Sequence, residues 1–257
     1  MAIRLSTGAR DFIAVHGNVK RAFEGGVLKI YSGTQPTSAD SAVAGTLLCT
    51  CSLASGAVTS EVRSYGTITV TAVAEGNTCS SVTVNSVQVL GATVTAPAGV
   101  STTSMAALIA AQINAYQSVP KYSATSSGAV ITIKAMPGTG TGPNTFVVAN
   151  TLGTMTTTLA DFANGVAQVN GLTFGTVSAG VLSKASGVWS GVNAASGTAG
   201  CFRLTGTEVD ANGTSTTLIR LDGSIATSGG DLTFASTSLV AAATLTIDQF
   251  DITIPAA

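Results

Sequence analysis

The sequence predicts a mainly β protein: a discontinuous β-sandwich or jelly-roll-like domain with short N-terminal helices, interrupted by a small inserted α+β domain. Three observations lead there. Apolar and β-branched residues alternate with polar ones in many short runs, the pattern of half-buried strands. Clusters of Gly, Ser, Asn and Asp punctuate those runs. Helical spacing is confined to the first two dozen residues and to a stretch between about 101 and 116.

At the start, Ser6 or Thr7 can cap a helix along which Phe12, Val15, Val19 and Phe23 recur at helical spacing. Gly17-Asn18 divides it into two short helices and Gly25-Gly26 ends it. Val27 to Tyr31 and Leu47 to Leu53 then read as strands, with the turn-rich Ser32-Gly33-Thr34-Gln35-Pro36 after the first of them.

The texture changes between about 64 and 166. Alternation through Thr67 to Val73, Val82 to Asn85 and Val87 to Val89 predicts strands. Ser101 or Thr102 caps a helix that places Met105, Leu108, Ile109, Gln112, Ile113 and Tyr116 on one face. A hairpin over Tyr122 to Thr125 and Val130 to Ala135 follows, ending at Met136-Pro137, and one helix on one small sheet would complete the domain. From about Val169 the first texture returns, with strands expected at Leu172 to Phe174, Cys201 to Thr205, Thr217 to Leu221 and Leu232 to Phe234. The closing run Thr244 to Ile254 alternates so that Leu245, Ile247, Ile252 and Ile254 face a core and Asp248 and Asp251 face solvent, with a register change near Phe250. The expected domains are therefore 1–63 with 167–257, and an insertion at 64–166.

Composition narrows the function. Charged residues make up only 9% of the chain, against roughly 25% in ordinary soluble domains. A polar but weakly charged surface suits a subunit covered by neighbours, because soluble monomers rely on charge to stay apart. Lys and Arg occur singly and the net charge is −1, so no basic stripe exists for a phosphate backbone and nucleic acid is not an expected partner. No run reaches the roughly 18 apolar residues of a membrane span, and the opening residues lack the apolar core of a cleaved signal, so synthesis in a cytoplasm without export is expected. Cys49, Cys51, Cys79 and Cys201 lack zinc-ribbon spacing and are expected as reduced, apolar-like thiols.

Candidate chemistry is sparse. His16 beside Gly17-Asn18 has no Cys or His partner at metal-ligand spacing. The glycine-rich run Gly138 to Thr145 lacks the Gly-Lys-Ser/Thr ending of a phosphate loop, and Pro143 removes a donor, so it reads as a turn. Asp248 and Asp251 sit in a strand pattern with no pocket motif beside them, whereas a glycosidase acid–base pair needs two carboxylates facing each other at a defined separation, so a paired-carboxylate site is not expected. Asp210-Ala211-Asn212-Gly213 and Asp222-Gly223-Ser224 lack the spaced ligands of a calcium loop and are expected as Asx turns between strands. There is no Gly-x-Ser-x-Gly elbow. Trp189 is either a core anchor or a contact hot spot, with the core preferred.

Several stretches combine into a resemblance. Met1 to Gly8, Gly26 to Pro36 followed by Ser38-Ala39-Asp40, and Gly45-Thr46-Leu47-Leu48 are similar to a widespread family of tailed-phage and prophage virion structural proteins. The similarity continues through Gly180 to Lys184, Gly197 to Gly200, Arg220 to Ile225 and Thr227 to Leu232. Members often pass almost directly from the first half to the second, which marks the centre as an insertion, and its helix with Pro120 to Thr125 resembles a module of other phage structural and tail-associated proteins. Cys201 departs from the pattern, since an aromatic residue often follows the equivalent Thr-Ala-Gly.

The resemblance carries no catalytic motif, so no catalytic, cofactor-binding or metal-binding residue is named, and no enzyme activity or cofactor is expected. It implies a virion component assembled in the bacterial cytoplasm, homo-oligomeric, and partnered by copies of itself and by other virion proteins. Its place would be the tail, neck or baseplate region, with a capsid decoration protein as the alternative. Strands such as Thr244 to Ile254 are candidates for pairing across subunits. A third reading is a host-glycan module, for which Tyr65, Tyr116 and Tyr122 are the available stacking residues, with Tyr116 assigned to the core. A polysaccharide depolymerase relying on the few acidic residues is the enzyme alternative.

Overall fold

The computed structural model describes residues 3–253; Met1, Ala2 and the end of the closing run at Ile254 lie outside them. The protein is mainly β, built from antiparallel sheets with a few short helices. It divides into two compact units, Met1–Glu61 with Gln168–Ala257, and Val62–Ala167. These limits fall within two residues of the expected boundaries at 63/64 and 166/167.

The first unit opens on two helices whose ends are set by local chemistry. Ser6 Oγ accepts the Ala9 N–H to start Thr7–His16, and Gly17, at φ 62°, closes it by donating its N–H to the Ile13 carbonyl. Asn18 Oδ1 accepts the Arg21 N–H and starts Val19–Phe23. The main sheet runs in the spatial order Arg4–Leu5, Arg220–Ala226, Gly197–Thr205, Leu28–Ser32, Leu47–Leu53, Trp189–Val192 and Thr244–Ile247. Leu232–Thr233 adds in parallel to Arg220–Ala226, and Ser238–Leu239 adds to Gly197–Thr205.

Register explains the core. Leu5, Leu221, Leu204, Leu28 and Cys51 are successive cross-strand partners, so one row of apolar side chains crosses five strands. Against that face lie Phe12 and Phe23 of the helices, and Leu182 and Ile252 from the two-stranded ribbon of Val181–Ser183 and Asp251–Thr253. Trp189 is fully buried there, 5.0 Å from the Phe174 ring and 5.5 Å from Phe250, which in turn lies 5.5 Å from Phe202. Trp189 is therefore a core anchor.

The second unit holds two four-stranded sheets and a helix. Thr156–Ala163, Tyr65–Ala72, Val130–Lys134 and Ser123–Ser127 form one sheet, while Val148–Leu152, Thr78–Val84 and Val87–Gln88 form the other, with Val94–Thr95 beside Thr78–Val84. Ser101 caps the helix Thr102–Ala115 in a capping box with Ser104. Met105, Ile109 and Ile113 of that helix share a core with Ile68, Val82, Ile131, Ile133 and Phe162.

Several expectations need correction. The buried helical stripe is Met105, Ala106, Ile109, Ala110 and Ile113, so Leu108 and Tyr116 are turned outward. The single small sheet expected in this unit is two: Val82 to Asn85 and Val87 to Val89 fall in a different sheet from Thr67 to Val73, and Val148–Leu152 and Thr156–Ala163, which are not among the expected strands, add one strand to each sheet. Leu172 to Phe174 is not a strand and contributes only a bridge from Phe174 to Lys184. Thr217 to Leu221 is displaced: Ser215 Oγ accepts the N–H groups of Thr217 and Leu218 in a turn, and the strand is Arg220–Ala226. The run expected to close the chain breaks into Thr244–Ile247 and Asp251–Thr253, in different sheets, with Phe250 buried between them.

Candidate functional site

The densest chemistry lies on the other face of the main sheet. Strand alternation that turns Leu204 and Phe202 into the core turns Arg203 the opposite way, and Arg220 and Asp222 flank Leu221 with the same result. Arg203 and Asp222 are direct cross-strand partners, with Lys29 on the next strand beside Arg203 and Arg4 beside Asp222. Arg203, Arg220 and Asp222 are fully buried.

Both arginines make forked pairs. Arg203 Nε and Nη2 each donate to Asp222 at 2.7 Å, and Arg220 Nε and Nη2 donate to Asp210 at 2.8 and 2.7 Å. Their other donors reach main-chain carbonyls of two loops: Arg203 binds Ala39 and Ser41, while Arg220 binds Ala39, Asp40 and Gly213. Asn212 Oδ1 accepts from Arg203 Nη1 and from the Val43 N–H, and its amide donates back to the Val43 carbonyl. Lys29 Nζ donates to the Asp210 carbonyl at 2.5 Å, and burial lowers its pKa. Tyr31 packs with Val43 and Cys201, where burial pushes its phenol up to about 12.

Chemically this lattice is a fastener. The guanidinium donors point at acceptors inside the protein, so the arginines hold the 39–43 and 210–213 loops onto the sheet and present no free fork to an anion. Burial would raise the Asp210 carboxyl, but hydrogen bonds from Arg220 and the Asn212 N–H, with the Arg220 charge, outweigh it and hold the group below its ordinary value. A carboxyl depressed in the folded state stabilises above the unfolded value and loses that contribution as pH falls through the folded value. The contribution of Asp210 to the melting temperature is therefore expected to fall away in acid below about pH 4, against the opposite contribution of Asp222, whose carboxyl burial raises. Asp210→Asn should melt lower at neutral pH with a shallower acid decline; an unchanged acid decline in melts of that variant would refute the assignment.

The Asx-turn reading holds at Asp210, whose Oδ1 accepts the Asn212 N–H, but it misses the ion pair. At Asp222 it is wrong, because Asp222-Gly223-Ser224 lies inside a buried strand. The other candidates are scattered. His16 is partly buried 4.5 Å from the Phe12 ring, and burial with nearby Arg21 lowers its pKa. In the glycine-rich run, the N–H groups of Gly142, Asn144 and Thr145 donate to Thr139, Thr141 and Phe162 carbonyls. All four cysteines are free and buried, with Cys49 and Cys51 Sγ 3.9 Å apart on one strand face. Burial raises the thiols of Cys79 and Cys201 to about 11. Asp248 and Asp251 are exposed, and Asp251 accepts from Gln249. Of the three tyrosines considered for glycans, Tyr122 is buried in the second core and Tyr116 is the more exposed, the reverse of a core assignment for Tyr116.

Among the described residues no group of three His, Cys, Asp or Glu side chains is placed to hold a metal ion, and no helix is long and apolar enough to cross a membrane. No family model, curated protein or solved structure matches the chain.

Proposed function

We propose that this chain is a non-enzymatic structural component of a tailed-phage virion, placed in the tail, neck or baseplate region and acting by symmetric packing against copies of itself and other virion proteins. The observation that carries the reading is where the charges go. The chain has eleven Lys and Arg and twelve Asp and Glu, and Arg203, Arg220, Asp210 and Asp222 are sealed beneath loops. The surface is thus poorer in charge than the composition already implies. Val119, Val209 and Val240 stand largely exposed on it, a surface better suited to being covered than to keeping monomers apart. The sequence resemblance in both halves of the first unit supports the same class.

The test is mass spectrometry of gradient-purified particles from a host carrying this coding sequence, followed by placement of the chain in a particle reconstruction. The chain is expected in the particles in a copy number set by a symmetry axis, on the tail, neck or baseplate. Density on the capsid lattice would replace that placement with the decoration reading, and absence from particles would overturn both.

A further inference from the structure

The main sheet ends differently at its two sides. One end is the two-residue strand Arg4–Leu5, with the Arg4 side chain turned onto the Pro36 carbonyl. The other is Thr244–Ile247, and no charged residue or proline occurs between Leu232 and Ile247. Edge strands are usually blunted by lysine, proline, a bulge or an inward charge, because their free N–H and C=O groups template another strand. None of those devices is present in Thr244–Ile247, and its ladder with Trp189–Val192 is regular.

The register says which groups are free. The Asn193 N–H donates to the Ala243 carbonyl, and Gly191 and Trp189 pair with Leu245 and Ile247, so the Ala243 carbonyl and the main-chain groups of Leu245 and Ile247 turn inward, while the Ala243 N–H donates to the Val240 carbonyl. Val188 and Ala194 face the other neighbour, as alternation requires. The N–H and C=O groups of Thr244 and Thr246 therefore point to the open side, and both residues are exposed. Val192, the cross-strand partner of Thr244, and Val240 add apolar surface beside them.

We infer that this edge pairs with the same edge of a second copy, antiparallel about a two-fold axis at Leu245. Thr244 then faces Thr246 of the other copy and the reverse, which makes both pairs hydrogen-bonded and joins two sheets into one. The spacing is self-complementary: the two free positions are related by that axis, and an uncharged edge meets its copy without repulsion. This deepens the assembly reading and rests on it.

Thr246→Pro removes an outward N–H and leaves the inward ladder intact, the position at which edge strands tolerate proline. Losing one donor from each copy should weaken self-association by roughly 10- to 100-fold. Sedimentation velocity over a concentration series should show wild type associating and this variant monomeric at the same concentrations, with an unchanged circular dichroism spectrum. Should the proline variant not fold, Leu245→Cys decides. Two copies of that residue face each other in a non-hydrogen-bonded pair, about 4.5 Å between Cα atoms, and should oxidise to a disulfide-linked dimer. Thr246→Cys, which faces Thr244, should not, and the four native thiols are buried. Association that survives Thr246→Pro, with no cross-link from Leu245→Cys, overturns the edge pairing and leaves assembly standing. A wild-type chain that stays monomeric at every concentration overturns the edge pairing and counts against self-assembly.

Discussion

Replacing Asp222 with alanine is expected to cost about 3–5 kcal/mol of folding stability, because it strands the Arg203 guanidinium in a fully buried position without its countercharge. At about 2–4 °C per kcal/mol for a unit of this size, the melting temperature should fall by roughly 10 °C. The double variant Arg203→Met with Asp222→Leu should be less destabilised than Asp222→Ala alone, because it removes the unpaired charge along with the carboxylate. It should not regain wild-type stability, since the Ala39 and Ser41 carbonyls lose the donor that holds their loop. Thermal melts of the two variants and wild type measure the difference. A loss below about 1 kcal/mol for Asp222→Ala would mean that the pair is solvated, since exposed ion pairs contribute about that much or less.

Trp189→Ala is expected to cost about 3–5 kcal/mol by opening a cavity beside Phe174 and Phe250. Trp189→Phe should cost much less. It keeps a ring in contact with its neighbours and removes the indole Nε1 N–H, which is buried with no hydrogen-bond partner among the described residues. Chemical denaturation of both variants separates the effects: equal losses would contradict packing as the source of the stabilisation. Near-zero loss from Trp189→Ala would place the side chain outside the core altogether.

Features governed by neighbours in the chain were legible in the sequence. Ser6 and Ser101 cap helices because their side chains reach N–H groups three residues on, and the break at Gly17-Asn18 follows because Gly17 takes a positive φ without steric cost; that Asn18 also caps the second helix went unread. The alternation in Thr67 to Val73 marked a strand because one of its faces is buried. Thr156–Ala163 was not legible: nearly all its side chains are exposed, and main-chain pairing with Tyr65–Ala72 holds it in place. The arginine and aspartate lattice was hidden for a different reason. Asp222-Gly223-Ser224 has the composition of a turn, and only partners distant in sequence make a buried carboxylate tolerable there. A signal was present, since Arg203 lies between Phe202 and Leu204, and Arg220 and Asp222 bracket Leu221 with the period of a strand. Charges at strand period in so weakly charged a chain point to a paired, covered sheet face.

The most direct test of an assembly role is the area each copy buries in an intact particle. A reconstruction at side-chain resolution should show every copy covering well over about 1,000 Å² against its neighbours, with Val192, Val240 and Thr244 at the contact. A particle that lacks the chain, or one in which it hangs by a small, polar contact with its charge-poor surface open to water, would contradict the account.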